Sequence, residues 1–210
     1  MEDLKVRKVK NLDDVKKVFN FISSAIFNDV MKNSDEFIPL HELYETMIDT
    51  FVKSRELEFY GTVGKNVAGA VVSTVLPYDP KCLFVEIITV SENYRRNGVA
   101  QELLTELEEI ATKKGFERMR VLYNTQAKPF FERNKFSLLL ELAIPETLEI
   151  EDVIKINNLA LKSSNILKYN NINFVQYNVS IADKRIKRYI MKNTPLVKAN
   201  YIMEKVLKKN

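Results

Sequence analysis

The apolar positions of this 210-residue chain change period several times, and each change marks an element. Residues 4–9, "LKVRKV", alternate and predict a first strand. In "NLDDVKKVFNFISSAIFNDVM" the spacing of Val15, Val18, Phe19 and Ile22 is helical, with Asn11 or Asp13 as cap. A second helix covers "LHELYETMIDTFVKS". "LEFYGTV" and "VAGAVVSTVL" return to strand character, joined by the hairpin signal Gly64-Lys65-Asn66. After the turn "PYDPK", the run "CLFVEIITV" reads as a buried strand, because β-branched and aromatic residues fill it.

The longest regular stripe follows. Ala100, Leu103, Leu104, Leu107, Ile110 and Ala111 recur at helical spacing. Lys113 and Lys114 suit the negative end of that helix, and Gly115 suits a left-handed cap. "FERMRVLY" predicts a strand, "AKPFFERN" a short helix and "FSLLLELAI" another strand. From about Glu146 the character changes. "EIEDVIKINNLALKSS" is amphipathic, with Leu161 in its register, and "INFVQYNVS" is a strand. "IADKRIKRYIMKN" is a basic helix with Ile186, Tyr189 and Ile190 as its packing side. "TPLVKANYIMEKVLKK" predicts a last helix, with Thr194 as cap and Pro195 at its first position.

Charge follows the same division. Residues 151–210 hold 12 basic and 4 acidic side chains, a balance of +8, whereas residues 1–150 carry −4. The expected organisation is an α/β (α+β) domain over 1–145 and a basic C-terminal α/β extension or small subdomain over 146–210, which could also complete the sheet. Cys82 and His41 are the only residues of their types, so neither an intrachain disulfide nor a metal centre is expected. No apolar run approaches the roughly 18–20 residues of a membrane span, and the N-terminal stretch has no signal-like core. The expected location is the cytoplasm, with no membrane partner.

The candidate chemistry begins at the stripe's N-terminal end. A strand, a short loop and a glycine lead directly into the helix at "YRRNGVAQELL". The first backbone N–H groups of a helix have no internal partners, and the dipole places roughly half a positive charge there. Gly98 permits close approach of an anion, Ala100 keeps that approach open, and Arg95 and Arg96 add cations. The spacing is neither a P-loop nor Gly-x-Gly-x-x-Gly.

Arg95-Arg96-Asn97-Gly98-Val99-Ala100 resembles the acetyl-CoA pyrophosphate loop of the GNAT N-acetyltransferase superfamily, Arg/Gln-x-x-Gly-x-Gly/Ala. "EIITVSENYR" before it and "AKPFFERNKF" after it resemble the family's flanking segments. The resemblance covers about residues 4–142 and is clearest from 84 to 136. It implies the GNAT acyl-CoA N-acyltransferase fold, a mixed, mostly antiparallel sheet flanked by helices, with acetyl-CoA as cosubstrate. Under it, Ile88 and Val90 would pair with the pantetheine arm. Backbone amides of residues 96–101, from Arg96 to Gln101 and including Val99, would hold the pyrophosphate. Asn124 would contact the pantetheine, and Phe130 and Phe131 would line the far side of the cofactor.

Glu86 is the candidate base. It interrupts "LFVEIITV", and burying an unpaired carboxylate costs several kcal/mol as an order of magnitude, so it calls for a reason. It stands nine positions before Arg95, where several GNAT enzymes place a general base for the attacking amine. Solvent exposure at an edge of the sheet is the plainer reading of the same residue. Two departures stand beside this. The family's usual tyrosine acid is Phe131 here, and the glutamate of the ribosomal-protein alanine branch is Met119. Tyr123 shares a strand face with Met119 and could supply the acid, or simply pack. Cys82 reads as a core residue and His41 as a surface one.

The expected activity is acetyl transfer from acetyl-CoA to a primary amine of a small molecule or peptide by direct attack. A CoA-binding sensor or interaction module of weak activity is the rival. Residues 29–58 carry eight acids against three cations, which favours a cationic acceptor. The basic tail reads better as the outer face of a subdomain than as a nucleic-acid site, since it carries no recognised motif. A homodimer fits the chain as well.

Overall fold

A computed structural model describes residues 3–30, 40–159 and 165–207 of the chain. In chain order its elements are β1 (Leu4–Lys8), α1 (Leu12–Val30), α2 (Leu40–Ser54), β2 (Glu58–Val63), β3 (Asn66–Leu76), β4 (Asp79–Val90), α3 (Val99–Lys113), β5 (Arg118–Leu122), α4 (Lys128–Arg133), β6 (Ser137–Pro145), α5 (Ile150–Ile156), β7 (Asn165–Tyr169), β8 (Ile172–Asn178), α6 (Lys184–Asn193) and β9 (Lys198–Val206). The chain divides into two compact units. One holds residues 1–74, 84–115 and 209–210, the other 75–83 and 116–208. The change of composition near Glu146 falls inside the second unit, whereas the units part within β3, within β4 and after Gly115.

In the first unit the strands run in the order β1-β2-β3-β4. β1 and β2 pair antiparallel, as do β2 and β3. Gly64 takes φ of 59° at the first of two turn residues, so β2 and β3 meet in a tight hairpin of the kind that matches strand twist. Asn11 caps α1: its Oδ1 accepts the Asp14 N–H at 2.9 Å, and Asp14 Oδ2 accepts the Lys10 N–H at 2.9 Å. Alternation along the strands then gives each sheet face its own helices. Val15, Val18 and Ile22 of α1 and Leu43 and Met47 of α2 pack with Tyr60, Ala70 and Val72. Gly61 and Gly69 point the other way, toward Leu103 of α3.

Gly69 is a packing requirement. A Cβ there would lie 2.9 Å from both the Thr89 carbonyl oxygen and Val99 Cγ1, and 3.0 Å from Leu103 Cδ1. Its absence lets the first turn of α3 settle onto β3 and fixes where that helix begins.

In the second unit the order is β5-β9-β6-β8-β7, with every one of these pairs antiparallel. This corrects the expectation of a last helix over "TPLVKANYIMEKVLKK". That segment is β9, inserted between β5 and β6. Val197, Ala199, Tyr201 and Met203 are buried at period two, which outweighs the helical reading of the same residues. The Thr-Pro signal has the opposite sense from the one expected. The Thr194 hydroxyl donates to the Ile190 carbonyl at 2.7 Å and closes α6. Of the alternatives for the C-terminal segment, the one in which it completes the sheet matches the pairing, because β8 and β9 both pair with β6. β7 went unmarked in the sequence reading, and Leu161 lies outside the described residues.

A buried ionic network crosses this second sheet. Arg120 is 1 % exposed. Its Nε donates to Glu204 at 2.6 Å and its Nη2 to Gln176 at 3.0 Å. Gln176 donates in turn to Glu141 at 2.7 Å, and the Tyr78 hydroxyl reaches the other oxygen of Glu141 at 3.1 Å. Arg118 grips Asp79 through two bonds of 2.7 and 3.2 Å. The cross-strand register places Arg120 opposite Glu204 and Glu141 opposite Gln176. A charge this deep is tolerated because most of its donors are matched, and removing one partner would strand the others.

Candidate active site

The residues expected to bind and react divide between the two units. β4 ends in Ile88, Thr89 and Val90, and Ser91 donates its N–H to the Ala68 carbonyl at 2.9 Å. Arg95 folds back, its Nε donating to the Val90 carbonyl at 3.2 Å. That bond ties the loop to the end of the strand. Arg96 then takes φ of 65° and Gly98 φ of 81°. A bulky residue in the left-handed region costs of order 1–3 kcal/mol, and such strain gathers at ligand-binding turns.

Gly98 is the residue before α3, and its carbonyl accepts the first helical bond, from Glu102 N–H at 3.0 Å. A Cβ added at Gly98 would meet no atom within 4 Å. The glycine is therefore needed for its backbone conformation and for the open space in front of it. The N–H groups of Val99 and Ala100 belong to the first turn, where a helix has no partners of its own for them. Arg95, Arg96, Asn97 and Gln101 are exposed around the same turn. An open backbone cradle with two arginines beside it fits a diphosphate group.

Glu86 lies four residues before Val90, about 13 Å along the strand. Of the two readings of Glu86, burial within an apolar run and exposure to solvent, the second holds: Glu86 is exposed. Its carboxyl nonetheless sits among protein atoms, and lost hydration pushes its pKa above the ordinary carboxylate value. The Thr74 hydroxyl donates to Glu86 Oε1 at 2.9 Å, which opposes the rise and fixes the carboxylate. A reachable, oriented carboxylate with an elevated pKa has the properties of a general base. Thr74 was missed in the sequence. Its signal was available only through the pairing of β3 with β4, which brings a hydroxyl beside the acid.

The deeply buried carboxylate of this unit is another residue, Glu58 at the start of β2. It is 0 % exposed, and neither carboxylate oxygen has a hydrogen-bond partner. Burial pushes its pKa up to about 8. No local pattern marks it, because Glu58 opens its strand and follows the charged residues Arg55 and Glu56.

The remaining candidates lie in the second unit. The Tyr123 ring is half-buried and meets Tyr201 edge-on at 6.2 Å, while its N–H donates to the Tyr201 carbonyl at 3.1 Å. Asn124 Oδ1 accepts the N–H groups of Gln126 and Ala127 at 2.8 and 3.2 Å and so shapes the turn into α4. Phe131 is 2 % exposed, in edge contact with Phe130 and Phe136. Cys82 is buried, and loss of hydration raises its thiol to about 12, which leaves no thiolate for nucleophilic work. His41 is exposed on α2. The acidic stretch is weaker than its count. Residues 31–39 lie outside the described residues, Glu58 is buried, Asp49 pairs with Lys53, and Glu56 pairs with Lys114. Among the described residues no group of His, Cys, Asp and Glu could hold a metal ion.

Residues 24–136, just over half the chain, match the profile described as "Acetyltransferase (GNAT) family". The chain belongs to the GNAT acetyltransferase family. Solved structures agree on the fold. A putative acetyltransferase from Pyrococcus horikoshii superposes with a TM-score of 0.54 at 11 % identity, covering 100 % of this chain and 92 % of that one. A GNAT acetyltransferase from Staphylococcus aureus Mu50 gives 0.53 at 14 %, covering 85 % and 100 %. Diaminobutyrate acetyltransferase EctA from Paenibacillus lautus, in complex with L-2,4-diaminobutyric acid and coenzyme A, gives 0.52 at 16 %, covering 87 % and 100 %. A search of curated proteins returns no match. The GNAT fold is α+β, a mixed sheet flanked by helices, and the chain is accordingly an acyltransferase that uses acetyl-CoA. Among the described residues no helix is long and apolar enough to cross a membrane.

Proposed function

We propose that this GNAT protein transfers an acetyl group to a primary amine by direct attack, with Glu86 as general base. The carrying observation is Glu86 itself: exposed, held by Thr74, elevated in pKa, and on the strand that runs into the cradle before α3. When bound, acetyl-CoA supplies an acetyl group activated as a thioester. The amides of Arg96 to Gln101 and the side chains of Arg95 and Arg96 hold its diphosphate, and the backbone of Ile88 and Val90 aligns its arm along β4. The acceptor arrives as an ammonium ion, which the Glu86 carboxylate attracts and then deprotonates to expose the nitrogen lone pair. That attraction supports a cationic amine as the acceptor class. Tyr123 as acid, and Asn124 and Phe131 as cofactor contacts, enter this reading on the sequence pattern alone, each within the second unit.

Titration calorimetry with acetyl-CoA and a turnover assay over a panel of amines test both halves of the reading. Gly98→Glu places a carboxylate in the open space of the cradle and is expected to abolish binding. Glu86→Gln is expected to keep acetyl-CoA affinity and to lower kcat by about 10²–10⁴-fold. Full turnover in Glu86→Gln would remove the base from this assignment. Acetyl-CoA binding without turnover of any amine would favour a sensor role for this chain.

A further inference from the structure

The geometry points to α6 as a docking surface for a single-stranded nucleic acid. The helix lies on β9. Ile190 is fully buried, the Asp183 N–H before the helix donates to the Tyr201 hydroxyl at 3.1 Å, and Lys187 donates to Asn200 at 3.2 Å. At about 100° per residue, Lys184, Arg185, Arg188 and Lys192 fall between about 120 and 160° round the axis from Ile190. All four are exposed. The sequence reading had Ile186 and Tyr189 packed with Ile190, but they are 43 % and 48 % exposed. The inward anchor is narrower than expected; opposite it stand the four cations, with Ile186, Tyr189 and Met191 exposed along the flanks.

Of these four, Arg185 is paired with Asp183, whereas among the described residues no ion pair holds Lys184, Arg188 or Lys192. Residues 165–207 contain two acids, Asp183 and Glu204. Asp183 is held by Arg185 at 2.8 Å, and Glu204 is held by Arg120 within the sheet. Lys184, Arg188 and Lys192 follow one another at four-residue steps, about 6 Å apart along the axis and about 12 Å end to end. Like charges at that spacing weaken a helix, so the stripe is not explained by the stability of α6.

A row of evenly spaced cations matches a backbone that carries regular negative charge. Tyr189, on the flank of the row, offers an exposed ring for base stacking. A bilayer is the poorer fit, because a helix lying in a membrane interface turns its apolar side outward, and here Ile190 faces β9. The likeness to known acetyltransferases plays no part in this assignment, and it stands or falls separately from the role of Glu86.

The test is fluorescence anisotropy of a short labelled oligouridine with the full chain. Three phosphate contacts predict affinity that falls about twenty-fold between 50 and 200 mM salt. The triple variant Lys184→Gln, Arg188→Gln, Lys192→Gln is expected to lose at least about tenfold at 50 mM and most of the salt dependence. Its thermal midpoint and acetyl-CoA affinity should stay unchanged, which separates a lost surface from a lost fold. Tyr189→Ala, which leaves every charge in place, is expected to weaken binding by about fivefold or more. No binding at 50 mM overturns the proposal. So does binding retained in the folded triple variant, equal binding of a poly-glutamate peptide, or binding only to vesicles of anionic lipid.

Discussion

Glu58→Gln tests whether a lone carboxyl in a dry core is held neutral. Glu58 is fully buried, neither oxygen has a partner, and lost hydration lifts its pKa from 4.5 to about 8. Between those two values the native chain holds one proton more than the unfolded chain. Stability therefore falls as pH rises through the window, by about 1.4 kcal/mol per pH unit. The whole window is worth about 5 kcal/mol, of which about 3 kcal/mol is already lost at pH 7. Glutamine keeps the shape and carries no charge at any pH, so it imitates the protonated acid. Urea unfolding of both proteins from pH 5 to pH 9 reads the effect. The two should lie within about 1 kcal/mol of each other at pH 5 and diverge steadily, with the variant the more stable. With a urea slope of about 2 kcal/mol per molar, the midpoints should differ by about 1.5 M at pH 7. Parallel pH profiles, or a variant weaker at every pH, would refute the reasoning. The first would mean that Glu58 finds water or a cation in solution, the second that its acid proton makes a bond glutamine does not replace.

Two further predictions concern the site and its support. Thr74→Val removes the hydroxyl bond that lowers the Glu86 pKa, so the acidic limb of kcat/KM should move to higher pH while the rate above that limb is largely kept. An unmoved limb would show that another group sets it. Gly69→Ala forces a methyl against the Thr89 carbonyl and Val99, and should destabilise the chain by about 1–3 kcal/mol in denaturant and weaken acetyl-CoA binding by displacing the start of α3. Unchanged stability would mean that α3 is free to shift.

Much of the first unit was legible because its signals are local. The cap at Asn11, the Gly64 hairpin, the stripe of α3 and the left-handed Gly115 each lie within a few residues of what they specify. The glycine that opens α3 was legible for the same reason. The failures share the opposite property. β9 carries a helix-start signature in Thr194-Pro195, yet Thr194 closes the preceding helix, and the strand's place between β5 and β6 depends on residues at least 53 positions earlier. Thr74 and Glu86 are 12 residues apart and meet through strand pairing. The depths of Glu86 and Glu58 were not legible either, because a charged residue in an apolar run and one at the edge of a run differ in depth only after the sheet has formed.

The position of β9 bears on how the polypeptide is made. β5 and β6 are joined through β9, which follows β6 by about 50 residues, so their facing edges have nothing to pair with while that intervening stretch is translated. At ribosomal rates of about 5–20 residues per second, that interval is roughly 3–10 s, long on the scale of hairpin formation. During it two strand edges stand open, the condition under which nascent chains pair wrongly with one another or recruit a chaperone. A message truncated anywhere before β9 would leave that condition permanent, and its product would be expected in the insoluble fraction even though the cradle and Glu86 are intact in its sequence.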